Sequence, residues 1–490
     1  MSENGKRPLL FRFFILIGWV LLLTLLLQRD FFVKKLDLHE AQVITREKQT
    51  DFFGVYFRKE RIGYVKNRLI PSPSGDSFSL YEDAFLHLNI MGEAHPIEMH
   101  ITATLTQKLL LDTFTFELTS PFYQMKASGL VEDQNVVLTM STGKGTIKDT
   151  IHLKSRPFLP INHRAYLLKQ DLQIGDKLKI PYFDPISLTG KDTVVEYNGL
   201  KKILIRGRIH VLHHFTESFA GVRVNTWIDE TGKVIKEESP AGFIFLAEPE
   251  FMATDIETKG QDILRSVSVP LQGAMPPLNG LATLRYTLTL PEGVELDLHK
   301  DRQRFADDLL TVTLEKYPAG KPPVCSDQEK ELAATPYIQS KNKAIAELSN
   351  SLVTNDQSQP EKVRILVDWV YQNLEKRPVI GIPDALTTLQ TRRGDCNEHA
   401  SLFTALARSV GIPARVAAGV TFHEGAFFYH VWNEVCLGDK WLSLDTTKNQ
   451  IPADLTHIKF VEGEIEDMIK IGALIGKLQI EVVPPGSLAH

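Results

Sequence analysis

Gly394-Asp395-Cys396-Asn397-Glu398-His399-Ala400, then His430-Val431-Trp432-Asn433-Glu434-Val435, then Trp441-Leu442-Ser443-Leu444-Asp445-Thr446 follow one another late in the chain. After Cys396 the positions His399, Leu402, Phe403, Leu406 and Val410 recur at helical spacing. Gly411 and Pro413 then end the pattern. The spacing predicts a helix that begins at the cysteine, with Cys396 on the inward side of Phe403 and Val410. A thiol in a first helical turn meets unpaired N–H groups, and such sites commonly lower a cysteine pKa from ~8.5 to between ~3.5 and ~7.5. Gly394 leaves room for a tight turn into the helix.

Working outward, 414–420, 427–437 and 440–445 read as strands, and Gly438-Asp439 as a two-residue hairpin turn. That turn sets Leu437 opposite Lys440 and therefore Trp432 opposite Asp445. His430 shares a face with Trp432, so His430 and Asp445 become diagonal neighbours. A helix thus offers a thiol, and one hairpin offers a base and an acid to orient it. The expected catalytic residues are Cys396, His430 and Asp445.

These residues resemble the transglutaminase-like superfamily, the circularly rearranged relatives of papain. The resemblance rests on Thr391 to Cys396, Gly411-Ile412-Pro413-Ala414-Arg415, His430 to Val435 and Trp441 to Thr446. It implies Cys396 as nucleophile, His430 as base and then acid, and Asp445 as orienter. Val431 and Thr446 depart from the residues common at those family positions. The expected activity is thiol acyl transfer on amide or peptide bonds through a thioester. Hydrolysis by a peptidase or amidase is favoured over cross-linking, because water is abundant at an open site. The substrate class is a protein, a peptide or a cell-wall stem peptide. The alternative is a catalytically silent peptide-binding module at the membrane. A zinc set from Cys396, His399, His423 and His430 has no fixed ligand spacing, so no metal or cofactor site is expected.

The expected fold class is α+β. A large antiparallel β-rich region precedes a C-terminal transglutaminase-like, papain-like core, and an N-terminal transmembrane helix leads the chain. In 490 residues there is length for several domains. The reading divides them into a cytoplasmic tail at 1–8, a signal anchor at 9–28, a β-rich domain at 37–262, a small β unit and linker at 263–323, the catalytic core at 324–458 and C-terminal strands at 459–490. Residues 9–27 are almost wholly apolar, broken by Arg12, and long enough to span a bilayer. No small-residue cleavage site follows, so an uncleaved anchor is expected, single-pass, with the bulk outside the cytoplasm, on the periplasmic side of a bacterial membrane. Net charge is −5, which gives no reason to expect a nucleic-acid partner.

From 52 to 258 short apolar runs alternate with turn residues, which predicts an antiparallel meander, curved or closed. Helices are expected at 338–352 and 361–374, two or three strands at 459–483, and at 421–427 a loop, with Gly425 as a hinge, that either covers the site or leaves it open. His213 and His214 point to opposite faces of one strand, which disfavours a metal there. Cys325 and Cys436 either pair or both stay free.

Overall fold

The computed structural model describes residues 34–36, 48–142, 145–159, 163–185, 188–219, 222–256, 262–317, 325 and 328–484. The expected span at 9–28 and the tail at 1–8 lie outside them. Among the described residues no helix is long and apolar enough to cross a membrane.

Period-two burial builds the first half of the chain. In the strand Leu111–Ser120 the side chains of Phe114, Phe116 and Leu118 are buried, while the polar Thr115 and Glu117 alternate with them. Eight strands, from Gln49–Phe57 to Gly145–His152, each pair with the next. Six more, from Lys177–Asp184 to Phe243–Glu248, do the same, and Phe243–Glu248 pairs back onto Gln49–Phe57. With Lys34–Lys35 beside Lys177–Asp184 they form one fifteen-stranded sheet. It curls on itself, so that Phe114 and Phe183, from the two meanders, meet at 5.0 Å between ring centroids in a shared core.

The segments 263–323, 324–458 and 459–490 share a second sheet. Val269–Gln272 pairs with both Ala426–Leu437 and Gln479–Val483, which ties the small β strands to the sheet carrying His430. Residues 459–483 hold the end of the strand Ile458–Glu462, helical turns at Ile465–Met468 and Ile469–Leu474, and the strand Gln479–Val483. Two strands therefore stand in that segment, with helical turns between them.

Two helix starts differ from the reading for capping reasons. The helix expected from 338 starts at Lys343, because the Asn342 side chain caps the Ala344 N–H at 2.9 Å. The helix expected from 361 begins earlier, at Gln359, with Ser358 and Glu361 as a capping box and Pro360 in the first turn. Residues 421–427 are not a covering loop. The strands Ala414–His423 and Ala426–Leu437 run on through them to a tight turn at Glu424-Gly425, where both residues have positive φ.

The β-rich sheet docks against the segment leading to the cysteine helix. Ser120 Oγ donates to the Ile380 carbonyl at 2.6 Å, and Thr142 Oγ1 to Asp384 Oδ1 at 3.3 Å. Gly381 lies so close to the Tyr123 ring that an added Cβ would sit 2.4 Å from it.

Candidate active site

Cys396 opens the helix Cys396–Ser409, and Asp395 with Glu398 forms its capping box. Gly394 is needed on the approach, since a Cβ there would lie 2.2 Å from Glu398 Cβ. The helix is buried on nearly every side: Ala400, Leu402, Phe403, Ala405, Leu406 and Ala407 are all inaccessible. It is the central post of the domain rather than an amphipathic surface helix. Three further helices, Lys343–Leu352, Gln359–Asn373 and Ala385–Thr391, pack on it.

The hairpin register runs as the turn dictates, from Leu437 opposite Lys440 to Asn433 opposite Leu444. Asp445 follows directly. His430 Nε2 lies 2.8 Å from Asp445 Oδ2. A carboxylate only accepts, so the Nε2 proton points at Asp445 and Nδ1 keeps its lone pair. The Val431 N–H, one residue beyond, lies near enough to the Cys396 sulfur to favour its thiolate. The structure therefore brings all three predicted residues together. Asn433, fully buried, braces helix to strand: its Nδ2 donates to the Ala400 carbonyl at 3.0 Å and to Thr404 Oγ1 at 2.9 Å.

Asp445 has more partners than the sequence reading gave it. Oδ1 accepts the N–H groups of Thr447 and Lys448, at 2.8 and 3.1 Å. Oδ2 also accepts from His457 Nε2 at 3.0 Å, and His457 Nδ1 lies 3.0 Å from Asp454 Oδ1. Burial alone would push Asp445 up, but His430, His457 and these donors hold it well below the usual carboxylate range. Trp432 stacks near His430 and meets His457 edge-on at 5.2 Å, which walls the pair off. His457 escaped the sequence reading, and the Asp454-Leu455-Thr456-His457 spacing was its only trace.

The thiol departs from expectation. Burial pushes the Cys396 pKa well up, and the charges of Asp395, Glu398 and Asp445 add to this against the Val431 N–H. These outweigh the helix terminus. Burial also lowers His430, against the pull of Asp445. Both shifts favour the neutral forms, a thiol on Cys396 and an imidazole on His430.

The zinc set is not assembled. Metal-capable clusters among the described residues are His430–Asp445–His457 and Asp301–Glu434–Glu462, and neither includes Cys396, His399 or His423. The second is occupied by cations: Arg415 and Lys459 each pair with Asp301, Glu434 and Glu462. Burial would raise Glu434, but Lys459 and Arg415 bring it down to about 2. His213 binds Tyr197 and His214 stacks on Trp227, so those histidines are structural. Cys325 and Cys436 form a disulfide across a separation of 111 residues.

Residues 346–446 match the family model described as the transglutaminase-like superfamily, and the chain carries a transglutaminase-like domain there. An uncharacterised protein of Haemophilus influenzae is 29% identical over 99 residues, 19% of this chain and 27% of that protein. The chain thus spans about a quarter of that relative's length. Among solved structures, "Putative Cysteine Protease from Cytophaga hutchinsonii" aligns at 18% identity and a TM-score of 0.30, over 44% of this chain and 85% of that one. A β-barrel-like protein of Brucella abortus aligns at 11% identity and 0.30, over 41% and 94%.

Proposed function

We propose that this chain is a membrane-anchored thiol acyl-transfer enzyme that cleaves amide or peptide bonds through Cys396, His430 and Asp445. The observation that carries the reading is the Asp445–His430 hydrogen bond at 2.8 Å, with the Cys396 sulfur near the neighbouring Val431 N–H.

The chemistry follows from the protonation states. As sulfur attacks a carbonyl carbon, the thiol proton passes to His430 Nδ1. The C–S bond forms and the carbonyl π pair moves onto oxygen. The Cys396 N–H, at the head of the helix, is placed to stabilise that oxyanion. The C–N bond then breaks, His430 returns the proton to the leaving amine, and a thioester remains. Water, deprotonated by His430, releases the acid and restores the thiol. Asp445 fixes the imidazole tautomer throughout. Because both shifts favour the neutral forms, proton transfer accompanies attack rather than preceding it.

Residues 9–28 serve as the anchor in this reading, with the bulk on the periplasmic side. The Cys325–Cys436 disulfide supports an oxidising compartment. The substrate is a protein or peptide, cell-wall peptide included. The test is turnover of a peptide and carboxamide panel, with and without added amines, by wild type and Cys396→Ala. Loss of at least ~10³ in rate with retained fold is expected. Undiminished turnover in folded Cys396→Ala overturns the reading.

A further inference from the structure

Among the described residues, six of the twelve exposed large apolar side chains gather at one place: Ile174, Leu200, Leu204, Ile209, Val211 and Phe251. Leu204 and Ile209 face each other across the hairpin of Thr189–Ile205 and Arg208–Phe219, at 71% and 72% exposure. Leu200 and Val211 share their face by the period of two. Ile174 packs beside Gly199, and Phe251 is next to Met252, which Arg206 contacts from the hairpin tip. Lys177–Asp184 pairs with this hairpin only up to Glu196, and Val222–Ile228 only from His213. Residues 200–211 therefore extend as a two-stranded ribbon with no strand paired on either side, tied down at its tip by Arg206 to Tyr56, Glu248 and Met252. They contain no acidic residue, and while Arg206 is paired with Glu248, the cations Lys201, Lys202 and Arg208 remain along the ribbon. An apolar face edged by cations fits the headgroup boundary of an anionic bilayer.

The chain's own register points the same way. Lys34 pairs in parallel with Leu178, which pairs with Val195. Read toward its N-terminal end, Lys34–Lys35 therefore points along the direction in which Val195 leads to Leu200 and Leu204. Those residues lie five and nine positions on, roughly 17 and 30 Å at ~3.3 Å per residue. Only five residues separate Gln28 from Lys34, a reach of roughly 20 Å. An anchor at 9–28 therefore holds the bilayer surface within range of the ribbon.

We propose that the ribbon 200–211 lies on the anionic lipid surface that segment 9–28 enters, a docking site that rests on the anchor reading given above. Docking fixes the orientation of the β-rich sheet, and so of the catalytic domain bound to it, relative to the membrane.

The test uses the full chain in vesicles of phosphatidylethanolamine and phosphatidylglycerol. An environment-sensitive dye is attached at Leu204→Cys in a Cys396→Ser background, with a reference dye at Met91→Cys, a residue equally exposed (73%) at another turn. Quenching by nitroxide-labelled lipid is expected to be at least fivefold stronger at 204 than at 91. Combined Leu200→Ser, Ile209→Ser and Val211→Ser, all surface changes, should abolish the difference while leaving circular dichroism unchanged. A chain that floats with vesicles but shows equal quenching at both sites overturns the docking and leaves the anchor standing. A chain that does not float overturns both. Concentration-dependent dimerisation that the three serines abolish assigns the ribbon to a second copy instead, and also overturns it.

Discussion

His457 and Asp445 form a second imidazole–carboxylate pair, 3.0 Å long, on the very oxygen that holds His430. Asp445 is thus fixed between two rings, and Asp454 holds the outer one. His457 touches neither substrate nor thiol, so it is a positioning residue. His457→Gln should lower kcat about tenfold with KM little changed, the scale of one hydrogen bond to a charged group. His457 also lowers the His430 pKa through its charge. The acidic limb of the kcat/KM profile should therefore move to higher pH in the variant, which a purely structural role would not produce. Asp445→Asn should cost far more, ~10⁴ in kcat, by favouring the wrong tautomer.

Glu315 makes stability fall as pH rises. Burial, opposed by Arg302 and the Ser443 N–H, raises it to about 7. A carboxyl raised in the folded state is stabilising while protonated. Its contribution is complete below the unfolded value of ~4.3 and lost as pH climbs to about 7. Over that window the stability of wild type in urea titrations should decline more than that of Glu315→Gln, by on the order of 3 kcal/mol, Glu82 contributing its own share to both. Glu315→Gln should flatten that slope, and an unchanged slope contradicts the assignment. Asp445 works in the opposite sense. Its depressed pKa contributes stability above ~3.9 that is lost as pH falls further.

Asn433 links the cysteine helix to the histidine strand through two buried hydrogen bonds. Asn433→Leu removes both bonds between helix and strand, leaving the Ala400 carbonyl only its bond from Thr404 Oγ1, and loosens the Cys396–His430 spacing. We expect a loss of about 1–3 kcal/mol in chemical denaturation, together with a fall in kcat.

The Cys325–Cys436 disulfide closes 111 residues of chain. In the chain-entropy view a loop of that size contributes about 4–5 kcal/mol. Cys436→Ser should lower the denaturation midpoint accordingly. Thiol titration of the unreduced, denatured protein should find one thiol, Cys396, and three after reduction.

Much of the site was legible because its geometry is local. Gly438-Asp439 sets the hairpin register, and parity then places His430 and Asp445 together. Capping residues and Gly411 bound the cysteine helix, but its near-total burial was hidden, since other helices complete its shell. His457 arrives from a turn after the hairpin, where no period governs direction. The thiol was misjudged for a related reason. Helix position is visible in sequence, whereas enclosure by Asp395, Glu398 and Asp445 is a tertiary property. In the β half the alternation marked the strands plainly. The return of Phe243–Glu248 to Gln49–Phe57 and the contact of Tyr123 with Gly381 join distant segments that no local pattern links.

The measurement closest to the central claim is the pH dependence of Cys396 alkylation in wild type and His430→Ala, with and without a peptide substrate analogue. The account predicts an apparent pKa above the free-thiol value of ~8.5 in the resting protein. It also predicts that a reversible peptide aldehyde, which adds to the Cys396 sulfur with His430 taking the thiol proton, slows alkylation more in wild type than in His430→Ala. A thiol with the ordinary value, alkylated identically in both proteins under every condition, would contradict a working Cys396–His430 pair.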